Sequence, residues 1–173
     1  MRLFFAAWPP PETAAALAGW ARKIREETGG KPVRAENIHL TLAFLGEADA
    51  EKALSAARRV GGFRHALPID DARHWKRNDI VWVGPQSIPA PLEDLVGQLH
   101  RALSEESFVL EKRPFAAHIT LLRKARAPQS LPPLPQVEWP VDEFLLVRSR
   151  TSREGSTYEP LKRFPLAQPD KSL

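Results

Sequence analysis

Residues 38–45 read Ile-His-Leu-Thr-Leu-Ala-Phe-Leu, and residues 115–122 read Phe-Ala-Ala-His-Ile-Thr-Leu-Leu. Both stretches place a histidine and a threonine two positions apart, with apolar residues between and after them. Because side chains two apart on a strand lie on one face, each stretch predicts a strand with an apolar side toward the core and a polar side opposite. The repetition predicts a duplicated half-site.

We refer to His39-Leu40-Thr41-Leu42 as the first tetrad and to His118-Ile119-Thr120-Leu121 as the second tetrad. A single His-x-Thr on a strand is most often an ordinary polar face, so it carries little functional information by itself. Two copies in matching strands are a much rarer coincidence in a chain with 5 histidines. The remaining histidines lack this setting and are interpreted as solvated residues: His65, His74 and His100.

Further elements are predicted outward from the tetrads. Apolar residues spaced by three and four after Pro11 predict an amphipathic helix over 11–27, which Gly29-Gly30 ends. Strands outnumber helices and connections are short, so the expected fold class is α+β with mostly antiparallel sheets. The other predictions are strands at 3–8, about 63–72, 79–83, 141–147 and 158–166, and helices at 49–60 and from Pro89.

No shift in composition marks a domain boundary, so residues 1–173 are expected to form a single domain. Residues 125–135 are rich in proline and are interpreted as a surface linker within it, with a proline-rich docking segment as the alternative. The tail, about 169–173, is expected to fray.

The composition limits which kinds of functional site and partner the protein can have. The absence of cysteine excludes disulfides, thiolate metal sites and a cysteine nucleophile. A net charge of +4 and a pI near 9.7 are compatible with an anionic partner such as RNA without identifying one. The apolar run before Pro9 is too short for a signal peptide and no run reaches the ~20 residues of a membrane span, so a cytoplasmic protein without membrane contact is expected.

The paired tetrads suit the hydrolysis of a cyclic phosphodiester. That reaction needs one group to deprotonate water and another to protonate the departing ribose oxygen, and histidine can do either near neutral pH. Threonine hydroxyls can donate to the phosphate oxygens where negative charge develops. The arrangement calls for no metal and no cofactor.

Beside the tetrads at 39–42 and 118–121, a set of segments follows the order found in one known family: residues 2–6, 36–42, 44–47, 81–84, 113–115, 118–121 and 155–161. Through them the chain resembles the RNA 2′,3′-cyclic phosphodiesterase / 2′-5′ RNA ligase family of two-histidine phosphoesterases. One departure is Ala117, where the family commonly has proline, which removes a restraint on the backbone before the second histidine.

The resemblance implies a bilobal fold, in which two pseudo-symmetric lobes, each an antiparallel sheet with helices, enclose a cleft lined by one tetrad from each. It implies hydrolysis of RNA 2′,3′-cyclic phosphate ends to 2′-phosphomonoesters, with reversible 2′-5′ ligation as related chemistry. Nothing in the sequence demands more than a monomer. Whether the RNA is a tRNA fragment, another oligonucleotide or a small cyclic nucleotide stays open at this point.

Residue roles follow from the same resemblance. His39 is expected to protonate the leaving 3′ oxygen and His118 to activate water, although a pseudo-symmetric site allows the opposite division. Thr41 and Thr120 are expected to hold the phosphate. Arg123 would share the core face with Leu121 if the strand continues, whereas a strand end or bend would turn it toward the phosphate; an ordinary surface arginine is the alternative.

Two other function classes fit parts of the pattern. One is a non-catalytic protein that binds RNA ends, although a binder has no need of two titratable groups at one phosphorus. The other is a metal-dependent phosphodiesterase that adds Asp70 or Asp71 as ligands. The chain has no His-x-His or His-Glu-x-x-His spacing to support such a site.

Overall fold

The computed structural model describes residues 1–169, so all of the tail predicted to fray except Pro169 lies outside the described residues. Helices are α1 (Pro11–Thr28), α2 (Ala50–Ala57) and α3 (Ala90–Glu105), with a short 3₁₀ turn at Ala35–Asn37. Strands are β1 (Arg2–Ala7), β2 (Lys31–Pro32), β3 (Leu40–Glu47), β4 (His65–Ala66), β5 (Asp71–Trp75), β6 (Ile80–Gly84), β7 (Ile119–Arg123), β8 (Pro140–Val141), β9 (Glu143–Ser152) and β10 (Gly155–Pro165).

The strands form two four-stranded antiparallel sheets and one small pair, which confirms the α+β class. The first sheet has the order β10-β9-β1-β3, the second has the order β2-β7-β6-β5, and β4 pairs with β8. Each tetrad strand pairs with the strand that precedes it by one helix, β3 with β1 and β7 with β6. The helices cross over: α1, which follows β1, packs against β2 and β7, whereas α3, which follows β6, packs against β3.

One continuous apolar core joins the helices to the inner faces of both sheets. Strand β1 is buried on both sides: Leu3 and Phe5 enter this core, while Phe4 and Ala6 lie in a smaller cluster on the opposite face of the sheet. This double burial explains why the run from Leu3 onward is continuously apolar instead of alternating.

The predicted helices and most of the predicted strands are confirmed, with shifted ends. The strand predicted over 63–72 is wrong in extent, because its ladders cover only His65–Ala66 and then Asp71–Trp75, with Phe63 in an isolated bridge to Ala167. Pro68 stands between them and has no backbone N–H to contribute to a ladder. The last strand begins at Gly155, because the chain turns directly from β9 into β10 as a hairpin.

The segment predicted as a linker, 125–135, has no regular secondary structure and runs along α1. The indole Nε1 of Trp20 lies 3.3 Å and 3.1 Å from the carbonyl oxygens of Pro132 and Pro133, to which it donates. The backbone N–H of Arg126 donates to the carbonyl of Thr28 at 2.8 Å. These bonds attach the segment to the helix that backs the second sheet.

In the part of the chain that the structure describes, no helix combines the length and the apolar composition that crossing a membrane requires.

Candidate active site

Each tetrad histidine lies one residue before its strand. Strand β3 begins at Leu40 and β7 at Ile119, so the assignment of His39 and His118 to strand interiors was wrong. The ladder between β1 and β3 ends at the pair Ala7–Leu40, and the prolines that follow Trp8, beyond the end of β1, cannot donate further bonds. The predicted sides are confirmed: Leu40 and Ile119 are fully buried in the core, and the histidines are half-buried opposite them.

The same backbone contact holds both imidazoles. Nδ1 of His39 lies 2.7 Å from the carbonyl oxygen of Asn37, and Nδ1 of His118 lies 3.0 Å from that of Ala116. A carbonyl can only accept, so Nδ1 carries the proton in each ring and Nε2 is the nitrogen left for chemistry. Nε2 of His39 lies 3.1 Å from the hydroxyl of Thr41, which donates to it when the ring is neutral.

A β-bulge follows the threonine in each tetrad. On β3, Thr41 pairs with Ala6 and Ala43 with Phe5, so Leu42 is an extra residue. On β7, Thr120 pairs with Trp82 and Leu122 with Val81, so Leu121 is the extra residue at the equivalent place.

A one-residue bulge reverses the alternation beyond it. Leu122 therefore turns into the core and Arg123 out of it, to the side of Thr120. The bulge decides between the two orientations that the sequence left open for Arg123. In the first tetrad the same reversal turns Phe44 outward, so Phe44 occupies the position equivalent to Arg123.

The bulges and the strand starts bring both tetrads to one cavity of about 210 Å³. All five residues predicted for the site line it: His39, Thr41, His118, Thr120 and Arg123. Two imidazoles, two hydroxyls and one guanidinium around a volume of this size match the needs of a single phosphate group.

Aromatic rings enclose His39. Trp8 stacks on the imidazole at 4.7 Å between centroids, and Phe4 and Tyr158 each lie at 5.2 Å. Burial among these groups lowers the pKa of His39 to about 4, against the hydrogen bond to Asn37, and the positive charges of Arg123 and His118 lower it further. His39 is therefore neutral in the unliganded protein at neutral pH.

His118 has a different aromatic neighbourhood. Trp75 lies 4.7 Å from its ring centroid, tilted by 52°, and Trp82 lies edge-on at 6.2 Å. Backbone packing positions the residue before it: a Cβ added to Gly84 would lie 2.3 Å from the carbonyl oxygen of Ala117. Only glycine allows this approach, so Gly84 lets the segment that carries His118 lie against β6.

The sequence did not predict several residues of the cavity wall. Asn37 and Tyr158 line it, together with Val33, Asn78 and Ile80 from connections and strand ends. Asn37 stands in the segment directly before the first tetrad, and Tyr158 is the chain's sole tyrosine; these were the available signals. Neither signal says that these residues are close to His118, which depends on the packing of the two sheets.

The interpretation of the remaining histidines as solvated was wrong, because their rings bond to the backbone and are partly buried. Nε2 of His74 donates to the carbonyl of Ala125 at 2.8 Å, with a side chain 9% exposed. Nε2 of His100 donates to the carbonyl of Leu42 at 3.0 Å, and Nδ1 of His65 to that of Phe63 at 2.9 Å.

The aspartates considered as metal ligands lie outside the cavity. Asp70 accepts from the backbone N–H of Gln86 at 2.7 Å, and Asp71 pairs with Arg73 at 2.9 Å. Within residues 1–169, no group of three or more His, Cys, Asp or Glu side chains is placed to hold a metal ion.

Comparison with known proteins agrees with a duplicated architecture. A family profile described as LigT like Phosphoesterase matches residues 8–82 and again residues 83–158, so each match contains one tetrad. The chain is 39% identical over 172 residues to the RNA 2′,3′-cyclic phosphodiesterase of Escherichia coli (strain K12), covering 96% of this chain and 97% of that protein. It is 37% identical over 179 residues to the RNA 2′,3′-cyclic phosphodiesterase of Thermus thermophilus, covering 96% and 90% respectively.

Solved structures show the same arrangement. The crystal structure of E. coli LigT complexed with 3′-AMP superimposes with a TM-score of 0.89 at 38% identity, covering 96% of this chain and 98% of that one. The fold expectation of two sheet-and-helix lobes is therefore confirmed by a structure determined independently of this sequence.

Proposed function

The chain belongs to the LigT-like phosphoesterase family and is a hydrolase of phosphoric esters; we propose that it opens 2′,3′-cyclic phosphates at RNA ends to 2′-phosphomonoesters. Its relatives in E. coli and T. thermophilus are RNA 2′,3′-cyclic phosphodiesterases, and the chain matches each of them over at least 90% of its length. The observation that carries the proposal is the 210 Å³ cavity lined by both histidines, both threonines and Arg123.

In the proposed reaction, Nε2 of one histidine takes a proton from water as the water oxygen bonds to phosphorus. The bond from phosphorus to the ribose 3′ oxygen breaks, and Nε2 of the other histidine donates a proton to that oxygen. The product has a 2′-phosphate and a free 3′-hydroxyl. Thr41, Thr120 and Arg123 donate to the phosphate oxygens, where negative charge grows in the transition state. No step in this scheme needs a metal ion.

The family resemblance assigns the acid to His39 and the base to His118, and we propose that division. The pKa of His39, about 4 in the empty site, opposes it, because an acid must carry a proton. A bound phosphodiester is an anion, and an opposite charge beside an imidazole raises its pKa. The substrate itself therefore supports protonation of His39 when the site is filled.

The division can be tested with a substrate that needs no acid. A p-nitrophenyl phosphodiester has a leaving group that departs without a proton, so loss of the acid should matter little. We expect His39→Ala to recover most of the wild-type rate on such a substrate and His118→Ala to stay slow. The opposite pattern would exchange the roles.

The same geometry supports a related transesterification. If the 5′-hydroxyl of a second RNA replaces water, its oxygen bonds to phosphorus as the 3′ oxygen leaves, and a 2′-5′ linkage results. We propose this ligation as a reversible side of the activity. Both half-sites come from one chain, so we propose that the protein acts as a monomer. We also propose that its substrate is RNA in the cytoplasm.

The first experiment incubates the purified protein with a short oligoribonucleotide ending in a 2′,3′-cyclic phosphate, in EDTA, and resolves 2′- from 3′-phosphate products. We expect the 2′-phosphate, and its loss in His39→Ala but not in His65→Ala, which alters a histidine outside the cavity. Binding without conversion would favour the RNA-end binder. Activity lost in EDTA and restored by a divalent cation would favour the metal-dependent alternative.

A further inference from the structure

The two bulged strands are held differently beyond their bulges. In the first half-site the ladder between β3 and β1 continues past Phe44 as far as Glu47. In the second half-site the ladder between β7 and β6 stops at Leu122, one residue before Arg123. On its other side Arg123 pairs with Lys31, which belongs to the two-residue strand β2. The ladder with β6 therefore does not extend to the residue that brings the guanidinium to the cavity.

The chain reverses directly after Arg123. Lys124 has a φ of 54°, a left-handed conformation that residues other than glycine seldom adopt. The backbone N–H of Ala125 then donates to the carbonyl of Asp79 at 2.9 Å, and Asp79 has a φ of 51°. Such conformations persist in residues with a side chain only where the surroundings hold them. Contacts around this reversal therefore fix the end of β7.

His74 supplies a side-chain contact to the same segment. Its Nε2 donates to the carbonyl of Ala125 at 2.8 Å, and its side chain is 9% exposed. Water competes poorly for a hydrogen bond buried to this extent, and a buried carbonyl without a partner is costly. Ala125 is thus held at its N–H by the β5–β6 turn and at its carbonyl by His74, two residues after Arg123.

The loop between α1 and β2 packs against the segment as well. A Cβ added to Gly30 would lie 2.6 Å from the carbonyl oxygen of Arg123 and 3.1 Å from Cα of Ala125. The backbone N–H of Arg126 donates to the carbonyl of Thr28 at 2.8 Å. The segment has no room to move closer to this loop, and the bond from His74 ties it to the second sheet.

We infer that His74 is a positioning residue, whose bond to Ala125 fixes the end of β7 so that Arg123 reaches the phosphate. The inference rests on the proposed function, in which Arg123 donates to the phosphate oxygens. Arg123 lines the cavity and is otherwise exposed, so the direction of its long side chain depends on where its backbone stands. A misplacement near 1 Å can cost as much as 10²-fold in rate.

Two amide substitutions test the bond. The amide nitrogen of glutamine can take the place of Nε2, whereas asparagine is one methylene shorter and does not reach the carbonyl of Ala125. We expect His74→Asn to lower kcat/KM for a cyclic-ended oligoribonucleotide about 10-fold, and His74→Gln to keep most of the wild-type value. His65→Asn is the matched control, because His65 is also partly buried and lies outside the catalytic cavity.

A double-mutant cycle asks whether His74 acts through Arg123. Once Arg123→Ala has removed the guanidinium, His74→Asn should change kcat/KM by less than about twofold. His74→Phe keeps the ring volume and lacks the donor, so it repeats the cycle with a different change in packing. Thermal melts establish which variants are folded.

Binding of inorganic phosphate, measured by calorimetry, tests the same contact without a reaction. We expect His74→Asn to weaken this binding about 10-fold, the lower end of the range for one hydrogen bond to a charged group. His74→Gln should keep the wild-type affinity.

Several results would overturn the inference. If His74→Asn keeps the wild-type kcat/KM and phosphate affinity, or if His74→Gln is as slow as His74→Asn, the bond to Ala125 does not position Arg123. Equal losses from His74→Asn with and without Arg123 would mean that the histidine acts through another group.

The two proposals fail separately. If the wild-type protein hydrolyses no cyclic end but binds phosphate, the proposed function is rejected, and the phosphate affinities of the two amide variants decide the inference. Absence of both hydrolysis and phosphate binding would reject the two together.

Discussion

The two half-sites hold their histidines in the same way and surround them differently. In each, Nδ1 donates to the carbonyl two residues earlier, and a bulge follows the threonine. The side chains at equivalent positions differ. Trp8 follows the last paired residue of β1 and stacks on His39, whereas Gly84 follows the equivalent residue of β6 and packs against the backbone before His118.

A second difference lies beyond the bulges, where the first half-site has Phe44 and the second has Arg123. The backbone is therefore duplicated while the chemistry is not. His39 is desolvated by aromatic rings, and His118 directly precedes the strand that supplies Arg123. The comparison teaches that a symmetric frame can bring two unlike histidines to one cavity, as the proposed acid–base catalysis requires.

The largest expected effect comes from removing either histidine. His39→Ala and His118→Ala should each lower kcat by about 10²–10⁴, the usual contribution of one general acid or base. The double variant should be only slightly slower than the slower single variant, because the two act as a unit. Initial rates on a cyclic-ended oligonucleotide measure this. A single variant with the wild-type rate would break the equivalence of the half-sites.

Arg123→Ala tests the cation that one half-site has and the other lacks. We expect kcat/KM to fall about 10²–10³-fold, as when one donor to a developing oxyanion is removed. Arg123→Lys should recover only part, because an ammonium keeps the charge without the paired donors. Arg58→Ala, at an exposed site outside the cavity, serves as the control. A change below twofold in Arg123→Ala would mean that this residue does not hold the phosphate.

Gly84→Ala tests the backbone contact behind His118. The new Cβ would lie 2.3 Å from the carbonyl of Ala117, so the segment carrying His118 must move. A shift near 1 Å can cost as much as 10²-fold, and we expect kcat to fall about 10-fold. Gly61→Ala, with no atom within 4 Å of its new Cβ, should keep full activity. Thermal melts of both variants separate misplacement from unfolding, and a fully active Gly84→Ala would refute the positioning role.

The smallest expected effect is on the pH profile of kcat/KM, which distinguishes the surroundings of the two histidines. The one-proton state of the pair is lost when His39 takes up a proton, so kcat/KM should fall below its pKa of about 4. Trp8→Ala admits water to the ring and should move this acidic limb upward, toward the ordinary histidine value near 6.5. Trp75→Ala, beside His118, should leave the limb in place. If Trp8→Ala does not move the acidic limb, the limb does not depend on the burial of His39.

The local pattern was sufficient to predict most of the frame. Alternation around Leu40 and Ile119 predicted which side chains enter the core, and the repeated His-x-Thr predicted a duplicated half-site. Helix α1 was recognisable from its apolar spacing and from Pro11 and Gly29 at its ends. These features depend on residues within a few positions of each other, where strand and helix periodicities act directly.

Only the tertiary structure decided how the half-sites differ. The orientation of Arg123 depends on a bulge, and a bulge is a relation between two strands that neither strand shows alone. The pKa of His39 depends on rings from positions 4, 8 and 158, which the sheet order of β1 and β10 brings to one imidazole. Burial and strand pairing arise between distant parts of the chain. The repeated local pattern therefore identified the two histidines, whereas tertiary packing gave them different surroundings.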